Sequence, residues 1–217
     1  MKTLAIAMQK GGIGKSTLTK ALAVAGMKAD FNVLVLDMDT QQSTVQWAQR
    51  RATELPIVRF ATEIDLPKLL RQAEEAGCDL VIIDTPPARS TEAPAAVEYA
   101  DLVLVPCSPD IEAYEQLPRT ARLARTTGKP AAAVLTMAQP NSRAEEDVAR
   151  TVFETVKIPM APTVIHRFKV HRDASREGQT AQEMEPASKA SAEIEALWAW
   201  VASELQLGTI ANVHKMA

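Results

Sequence analysis

The sequence predicts an α/β fold, in which a mostly parallel, twisted sheet of about seven strands carries helices on both faces. Apolar runs of strand length alternate along the chain with segments of helical periodicity, a pattern that indicates a parallel sheet. The run Leu80–Ile83 is apolar at every position, which is typical of a strand buried on both faces. A glycine-rich stretch separates the first apolar run from the first helical segment.

Strands are predicted where short apolar runs are bounded by polar or turn-forming residues. They span Thr3–Met8, Val33–Asp37, Ile57–Phe60, Leu80–Asp84, Leu102–Pro106, Ala131–Met137 and Pro162–Ile165. Helices are predicted where apolar residues recur at helical spacing. They span Ser16–Ala29, Ser43–Arg51, Leu66–Ala76, Ala93–Tyr99, Glu112–Thr126, Arg143–Val156 and Ala187–Leu205. We expect Trp198 and Trp200 to pack the last helix against the sheet.

The chain has 217 residues, of which 47% are hydrophobic, enough for one domain with a sizeable core. We expect this domain to span residues 1–207 and residues 208–217 to form a flexible tail. The formal net charge of −3 argues against a strongly basic nucleic-acid-binding protein, so any DNA contact has to come from a local patch. The chain has no apolar run of membrane-spanning length and no signal-peptide pattern, and its two cysteines lack metal-ligand spacing, so we expect a cytoplasmic protein. We expect no membrane role, because residues 208–217 lack a strong amphipathic pattern.

The stretch Gln9–Thr17 has the composition of a phosphate-binding loop between a strand and a helix. Its glycines allow the backbone to wrap around phosphate oxygens, and the helix N-terminus adds a positive partial charge. Lys15 is placed to reach the β- and γ-phosphates, and the Ser16 hydroxyl is placed to ligate Mg²⁺. The general pattern for P-loop nucleoside triphosphatases is incomplete, because Gln9 occupies the first glycine position and a second lysine, Lys10, precedes the glycines.

Acidic residues follow two of the predicted strands. The second strand ends in Asp37-Met38-Asp39, where one acid is suited to hold Mg²⁺ through water and the other to orient an attacking water. A turn with a helix-capping aspartate is the alternative interpretation of this pair. An apolar strand also delivers Asp84, which is placed to hold the Mg²⁺ coordination shell.

The sequence from Lys10 to Ser16 resembles the deviant Walker A box of the ParA/MinD family of ATPases, and Asp37–Gln41 and Asp84–Pro87 fit the two switch regions of that family. The chain is most similar to its small, ParF-like type, including Trp47 after the first switch. The resemblance implies that ATP drives a sandwich dimer in which Lys10 contacts the nucleotide of the partner subunit. It also implies catalytic roles for Lys10, Lys15 and Asp39, with Asp39 positioning water, and a metal shell supported by Ser16, Asp37 and Asp84. The residues implied in ATP binding are Gly11, Gly12, Ile13, Gly14, Lys15, Ser16, Thr17, Pro106 and Pro109.

The function implied by the resemblance is that of a partition ATPase. Mg-ATP would drive dimerisation and non-specific DNA binding, and a centromere-binding, ParB-like partner would stimulate hydrolysis and release the DNA. This cycle would segregate a plasmid or chromosome and associate the ATP state with the nucleoid. The chain departs from the family at Thr40, where proline is usual, and after the sixth strand, where an asparagine often reads adenine. The residues that recognise the base therefore stay unassigned.

The candidate DNA surface is the basic stretch that follows the seventh predicted strand. A second basic group, Arg119, Arg122 and Arg125, recurs on one face of a predicted helix. Solvated helix faces with ion pairs to Asp173 or Glu177 are the alternative interpretation. The candidate DNA contacts are Arg167, Lys169, Arg172 and Arg176.

Two other functions stay open. A ParA-like ATPase could position a protein complex or a conjugation machine instead of a DNA cargo. A metabolic enzyme with the same loop, such as a nitrogenase-type reductase or an amidoligase, is an alternative of another class. The reductase would need cysteines to bridge an iron–sulfur cluster between subunits, and the positions of Cys78 and Cys107 favour small core residues instead.

Overall fold

The computed structural model describes residues 1–87 and 91–208. Within them the strands form one sheet of order β3-β2-β4-β1-β5-β6-β7, and each pair of neighbours is parallel. The strands are β1 (Lys2–Ile6), β2 (Val33–Asp37), β3 (Ile57–Phe60), β4 (Leu80–Asp84), β5 (Leu102–Cys107), β6 (Ala131–Ala138) and β7 (Ile165–His166). The predicted α/β fold is confirmed. All but one residue of the predicted tail at 208–217 lies outside the described residues.

Helices cover both faces of the sheet, as the alternating sequence pattern predicts. They are α1 (Lys15–Lys28), α2 (Ser43–Gln49), α3 (Leu66–Glu75), α4 (Glu92–Tyr99), α5 (Ile111–Thr126), α6 (Arg143–Val156), α7 (Lys169–Arg176), α8 (Ala181–Met184) and α9 (Lys189–Glu204). Among the described residues, no helix is long and apolar enough to cross a bilayer.

The core has two layers because the central strands are apolar on both faces. One layer packs side chains of α3 to α6, such as Leu66, Leu117 and Phe153, against the sheet. The other layer packs α1 and α9 against the opposite face. Trp198 of α9 lies against α1, where a Cβ added to Gly26 would approach its ring to 3.0 Å. Trp198 belongs to the same buried cluster as the strand residues, and Trp200 is partly buried against that cluster, so the predicted packing of the last helix is confirmed.

The end of the sheet departs from the prediction. The seventh strand is predicted at Pro162–Ile165, but it forms at Ile165–His166. Pro162 cannot donate a ladder hydrogen bond, and the chain pairs earlier with β6 only at an isolated bridge between Met160 and Ala133. The helices α7 and α8 were not predicted, since the charged stretch after β7 has few apolar residues to give a helical period.

Replacing a core residue of α6 tests this packing. Phe153 is fully buried, so Phe153→Ala should lower the free energy of unfolding by about 3–5 kcal/mol through lost contacts and a residual cavity. Val148 lies exposed on the same helix, and Val148→Ala should change the free energy by less than about 0.5 kcal/mol. Urea unfolding followed by far-ultraviolet circular dichroism measures both. Equal losses for the two variants would contradict the assignment of Phe153 to the core.

Candidate nucleotide-binding site

The loop between β1 and α1 lies at the carboxyl edge of the sheet and opens into a cavity of about 1250 Å³. Gly12 and Gly14 have positive φ angles of 76° and 92°, which glycine adopts without the steric cost that a Cβ adds. Gly14 is the residue before the first turn of α1, so this turn directs its free N–H groups toward the cavity. The loop, Lys15, Ser16 and Thr17 therefore form a concave site suited to an anion.

Two residues of the loop hold its shape. Lys15 is buried, and its Nζ donates a hydrogen bond to the carbonyl of Lys10 at 2.9 Å across the loop. Burial lowers the pKa of Lys15, and the charges of Asp84 and Asp39 oppose that shift. Ile13 is also buried, and its carbonyl accepts a hydrogen bond from Thr136 Oγ1 of β6 at 2.8 Å. Ile13 thus anchors the loop to the sheet, whereas Lys15 stays beside the carboxylates.

Asp84 lies fully buried at the end of β4. One of its oxygens, Oδ2, accepts a hydrogen bond from Thr44 Oγ1 at 2.7 Å, and the other, Oδ1, has no partner. Burial, followed by the neighbouring charge of Asp37, raises the pKa of Asp84 to about 6. A buried carboxylate oxygen without a partner is costly unless a cation or donor binds it.

These residues fit the magnesium ion that the family resemblance implies. Mg²⁺ prefers oxygen ligands, and it is commonly held by one or two carboxylates together with substrate phosphates and water. The orphaned Oδ1 of Asp84 and the nearby hydroxyl of Ser16 are such ligands. The described residues contain no group of three or more His, Cys, Asp or Glu side chains suited to a metal ion, so protein side chains alone do not complete the shell.

Asp37 has an additional role that the sequence suggests only as an alternative. Its Oδ2 accepts hydrogen bonds from the backbone N–H groups of Thr44 and Val45, and its Oδ1 accepts one from Asp39. Burial raises the pKa of Asp37, and these hydrogen bonds oppose that effect. The aspartate therefore holds the N-terminus of α2, while its support of the metal shell stays a prediction.

Asp39 differs from the two buried acids because it lines the cavity and is partly exposed. Its Oδ1 accepts the backbone N–H of Gln41 at 2.9 Å, so the carboxylate keeps a second oxygen for another donor. The following turn brings Ser43 close to the loop, where its hydroxyl donates to Ser16 Oγ at 3.1 Å. The structure thus brings together Lys15, Ser16, Asp39 and Asp84, as the sequence predicts.

Four other predicted residues lie elsewhere. The Nζ of Lys10 lies 4.0 Å from Glu112 Oε2, and Lys10 and Gly11 line a separate cavity of about 360 Å³. Pro106 is buried within β5 opposite Val134. Neither Pro106 nor Pro109 lines the large cavity within the described residues, and their contact with nucleotide stays a prediction.

The candidate DNA-binding residues line the same cavity as the phosphate loop. Arg167 precedes α7, and the other three, Lys169, Arg172 and Arg176, lie on it. These three side chains approach Asp173 at 3.2, 3.4 and 3.9 Å. The predicted ion pairs with Asp173 are confirmed, and one carboxylate therefore offsets part of the charge of a mainly basic helix.

Sequence reasoning missed several residues of the site. Thr44 and Ser43 contact the acid and the loop, and Arg50, His166 and Phe168 line the cavity. Ser43 and Thr44 directly follow the Asp37–Gln42 motif, and this helix-start pattern could have indicated them. Arg50, His166 and Phe168 give no such local signal.

Comparison with known proteins agrees with this geometry. The model of the CobQ/CobB/MinD/ParA nucleotide binding domain matches residues 4–181. The maintenance of carboxysome distribution protein A of Gloeobacter kilaueensis is 32% identical over 94% of either chain. The chromosome partitioning protein ParA of Caulobacter vibrioides is 30% identical over 70% of this chain and 75% of its own. Among solved structures, the septum site-determining protein MinD of Pyrococcus horikoshii, complexed with Mg-ADP, has a TM-score of 0.76 at 19% identity and covers 92% of this chain and 95% of its own.

The raised pKa of Asp84 predicts how stability depends on pH. Because the pKa is about 6 in the folded chain and ordinarily 3.8, the folded state holds this proton more tightly, and stability falls as pH rises through about 4 to 6. Asp84→Asn removes this loss, because asparagine does not ionise. The free energy of unfolding of the variant minus that of the unmodified protein should therefore be more favourable at pH 8 than at pH 4, by roughly 3 kcal/mol or less.

Urea unfolding with a chelator and without nucleotide measures this difference. Asp30→Asn, at an exposed position, is the control and should show little change between the two pH values. An equal effect of Asp84→Asn at both pH values would contradict the assigned environment of Asp84.

Proposed function

The chain belongs to the CobQ/CobB/MinD/ParA nucleotide-binding family, and from this premise we propose that it is a Mg-ATP-dependent partition ATPase. In this proposal ATP closes a homodimer, the dimer binds DNA without sequence preference, and hydrolysis releases the DNA to segregate a plasmid or chromosome. The observation that carries the proposal is that Lys15, Ser16 and Asp39 line one cavity beside a basic helix, with the buried Asp84 next to Lys15 and Ser16. This set combines phosphate binding, metal ligation and water positioning with a surface for an anion.

Each residue of the set has a distinct task in phosphoryl transfer, where a protein mainly positions groups and stabilises charge. The N–H groups at residues 12–17 and the ammonium of Lys15 would bind the phosphates of ATP. Ser16 and Asp84 would hold Mg²⁺, which neutralises and orients phosphate oxygens when it is bound. Asp39 would orient the attacking water with its free carboxylate oxygen, and Asp37 would hold α2 in position.

Lys10 supports the proposed dimer through its position. Its side chain is 35% exposed, and the contact of 4.0 Å with the more exposed Glu112 is weak. An ammonium held so loosely is free to reach a phosphate bound by a partner subunit. Since Lys15 already serves the phosphates of its own subunit, a contact in the partner gives Lys10 a separate task.

DNA binding is proposed for the basic residues around α7. Exposed lysine and arginine side chains bind phosphates without reading the base sequence, and the affinity then falls as salt rises. Lys169, Arg172 and Arg176 have largely exposed side chains. Closing two subunits would double this surface, which supports DNA binding that depends on ATP and association of the ATP state with the nucleoid.

The cargo has two main candidates. The first is a plasmid or chromosome, on which a bound partner of the ParB type would stimulate hydrolysis. The second candidate is a protein body, because the relative from Gloeobacter kilaueensis, which matches 94% of this chain, is named for carboxysome distribution. Both candidates, and a conjugation machine, use the same ATP cycle and differ only in the partner protein.

A metabolic role has less support, although the family also includes the CobQ and CobB proteins. Burial raises the pKa of the Cys107 thiol to about 12 and also raises the pKa of Cys78. Thiols with raised pKa values are poorly suited to ligate an iron–sulfur cluster shared between subunits, because the ligand is the thiolate. The cysteines therefore give no support to a reductase.

Binding of non-specific duplex DNA tests the proposed function. The unmodified protein should bind with Mg-ATP, bind weakly with ADP, and lose affinity as salt rises. Asp39→Ala should lower ATP hydrolysis by about 100-fold and keep DNA binding, because ATP stays bound without an oriented water. Lys10→Ala should keep ATP binding and lose the dimer and the DNA complex.

Lys68→Ala is the control for Lys10→Ala, since Lys68 lies exposed on α3. Fluorescence anisotropy of labelled DNA and light scattering of the protein give the two readouts. A protein that binds ATP but no DNA in any nucleotide state would refute the proposal.

Asp173 offers a second test of the DNA surface. Asp173→Asn removes the carboxylate beside three cations, so the affinity for DNA in the ATP state should rise roughly threefold to tenfold at moderate salt. Asp147→Asn changes the net charge equally on the exposed face of α6 and should have a smaller effect. Equal gains for the two variants would show that net charge, and not α7, sets the affinity.

A further inference from the structure

The short helix α2 is joined at its first turn to the nucleotide-binding site. Asp37 accepts the N–H groups of Thr44 and Val45 at 2.9 and 3.1 Å, and Thr44 Oγ1 donates to Asp84 at 2.7 Å. Ser43 donates from the same turn to Ser16. The Oγ of Ser16, which would bind Mg²⁺, thus accepts a hydrogen bond from α2. On Asp84, Oδ1 would bind Mg²⁺, and the hydrogen bond from α2 goes to the other oxygen of the same carboxylate.

The other end of α2 contacts the turn between α7 and α8. The ring N–H of Trp47, which is fully buried, donates to the carbonyl of Gln179 at 3.0 Å. Arg50 donates to the carbonyl of Ser175 at 3.2 Å. These contacts join segments more than 120 residues apart in sequence, so they fix α2 directly to the end of the basic helix.

Arg51 forms the centre of this junction. Its guanidinium donates to the carbonyl of Gly178 at 2.9 Å and to both carboxylate oxygens of Glu183 at 3.1 and 2.7 Å. It also stacks 4.6 Å from the centre of the Trp47 ring. Glu183 in turn accepts the N–H of Thr180 at the start of α8. We call Trp47, Arg51 and Glu183 the Arg51 clasp.

The backbones at this junction are in close contact. Gly178 has a φ of +69°, and a Cβ at this position would lie 2.5 Å from the carbonyl carbon of Arg50 and 2.7 Å from the backbone nitrogen of Arg51. Packed protein interiors transmit displacements because they have little free volume. A shift of α2 therefore has to move the turn after α7 or break the clasp.

We propose that α2 and the Arg51 clasp link the nucleotide site to α7, so that Arg51 is a positioning residue through which bound Mg-nucleotide sets the affinity of α7 for DNA. Only the effect on DNA binding rests on the proposed function; the link between the nucleotide site and α7 does not. Its physical basis is that a cation at Ser16 Oγ competes with the hydrogen bond that Ser43 donates to that atom, while a cation at Asp84 Oδ1 draws on the same carboxylate that Thr44 holds through Oδ2. The two states of the site thus favour different positions of the first turn of α2, as a ligand-driven shift requires.

Hydrogen exchange of residues 177–184 tests the link without DNA. This segment lies outside the residues that line the cavity, so a change there on adding Mg²⁺ and a non-hydrolysable ATP analogue reports transmission. In the unmodified protein we expect an exchange rate at least threefold different between the free and bound states. Arg51→Lys keeps the charge but loses the fork and the stacking, and it should bind nucleotide within about threefold of normal while that difference disappears.

Arg59→Lys is the matched control, because Arg59 is exposed on β3, and it should retain the normal response. Gly178→Ala is a second variant, which separates the two backbones at the junction and should also abolish the response. Circular dichroism and urea unfolding establish that each variant is folded. An unchanged response in folded Arg51→Lys, or no response in the unmodified protein with nucleotide bound, would overturn the proposed link.

DNA affinity then connects the link to function. In the nucleotide-bound state Arg51→Lys should bind duplex DNA at least about tenfold more weakly, with the same dependence on salt, because the phosphate-binding side chains are unchanged. If the unmodified protein binds no DNA, the proposed function fails and the exchange experiment still decides whether the link exists. Equal DNA affinity of Arg51→Lys and the unmodified protein, with DNA binding present, would overturn the role of the clasp in DNA binding.

Discussion

Two carboxylates buried side by side are the constraint on which the rest of the site depends. Asp37 and Asp84 occupy paired positions at the ends of β2 and β4, and both are fully buried. Burial opposes the ionisation of both and raises the pKa of each, and a neighbouring carboxylate adds to the effect: Asp37 for Asp84, and Asp39 for Asp37. The chain offsets this cost with donors from α2 and with the ammonium of Lys15, and it leaves one oxygen of Asp84 without a partner. That oxygen is the part of the arrangement that a cation would complete.

The helix that satisfies Asp37 needs support in its turn. A helix of seven residues is unstable alone, because nucleation is costly and few hydrogen bonds follow it. Trp47 and Arg51 supply the missing stabilisation through the turn after α7. The acid pair, α2 and the Arg51 clasp therefore depend on one another, and a change at one of them alters the balance at the others. This dependence makes a link between the nucleotide site and the basic helix physically reasonable.

The parts of the molecule that could be predicted from the sequence are those with a local cause. The alternating apolar runs predict the sheet, and the loop with Lys15 and Ser16 is recognisable because its residues act within a few positions of one another. Asp84 follows from its place at the end of an apolar strand. The pair of Arg51 and Glu183 has no such signal, since 132 residues separate its members and either side chain could be solvated. The helix α7 was missed for a related reason, because its mainly charged sequence has only Val170 and Ala174 buried.

The charged residues of α7 also explain how an acidic chain could bind DNA in the proposed role. With a net charge of −3 the protein as a whole repels DNA, and Asp173 offsets part of the charge of α7. A single subunit thus offers only a weak local attraction, which salt screens further. In the proposed dimer two such surfaces would act together, since the second contact would form at a high effective concentration. For an ATPase that has to leave DNA after hydrolysis, weak surfaces joined only in the ATP state are more suitable than a strongly basic protein, which would stay bound in every state.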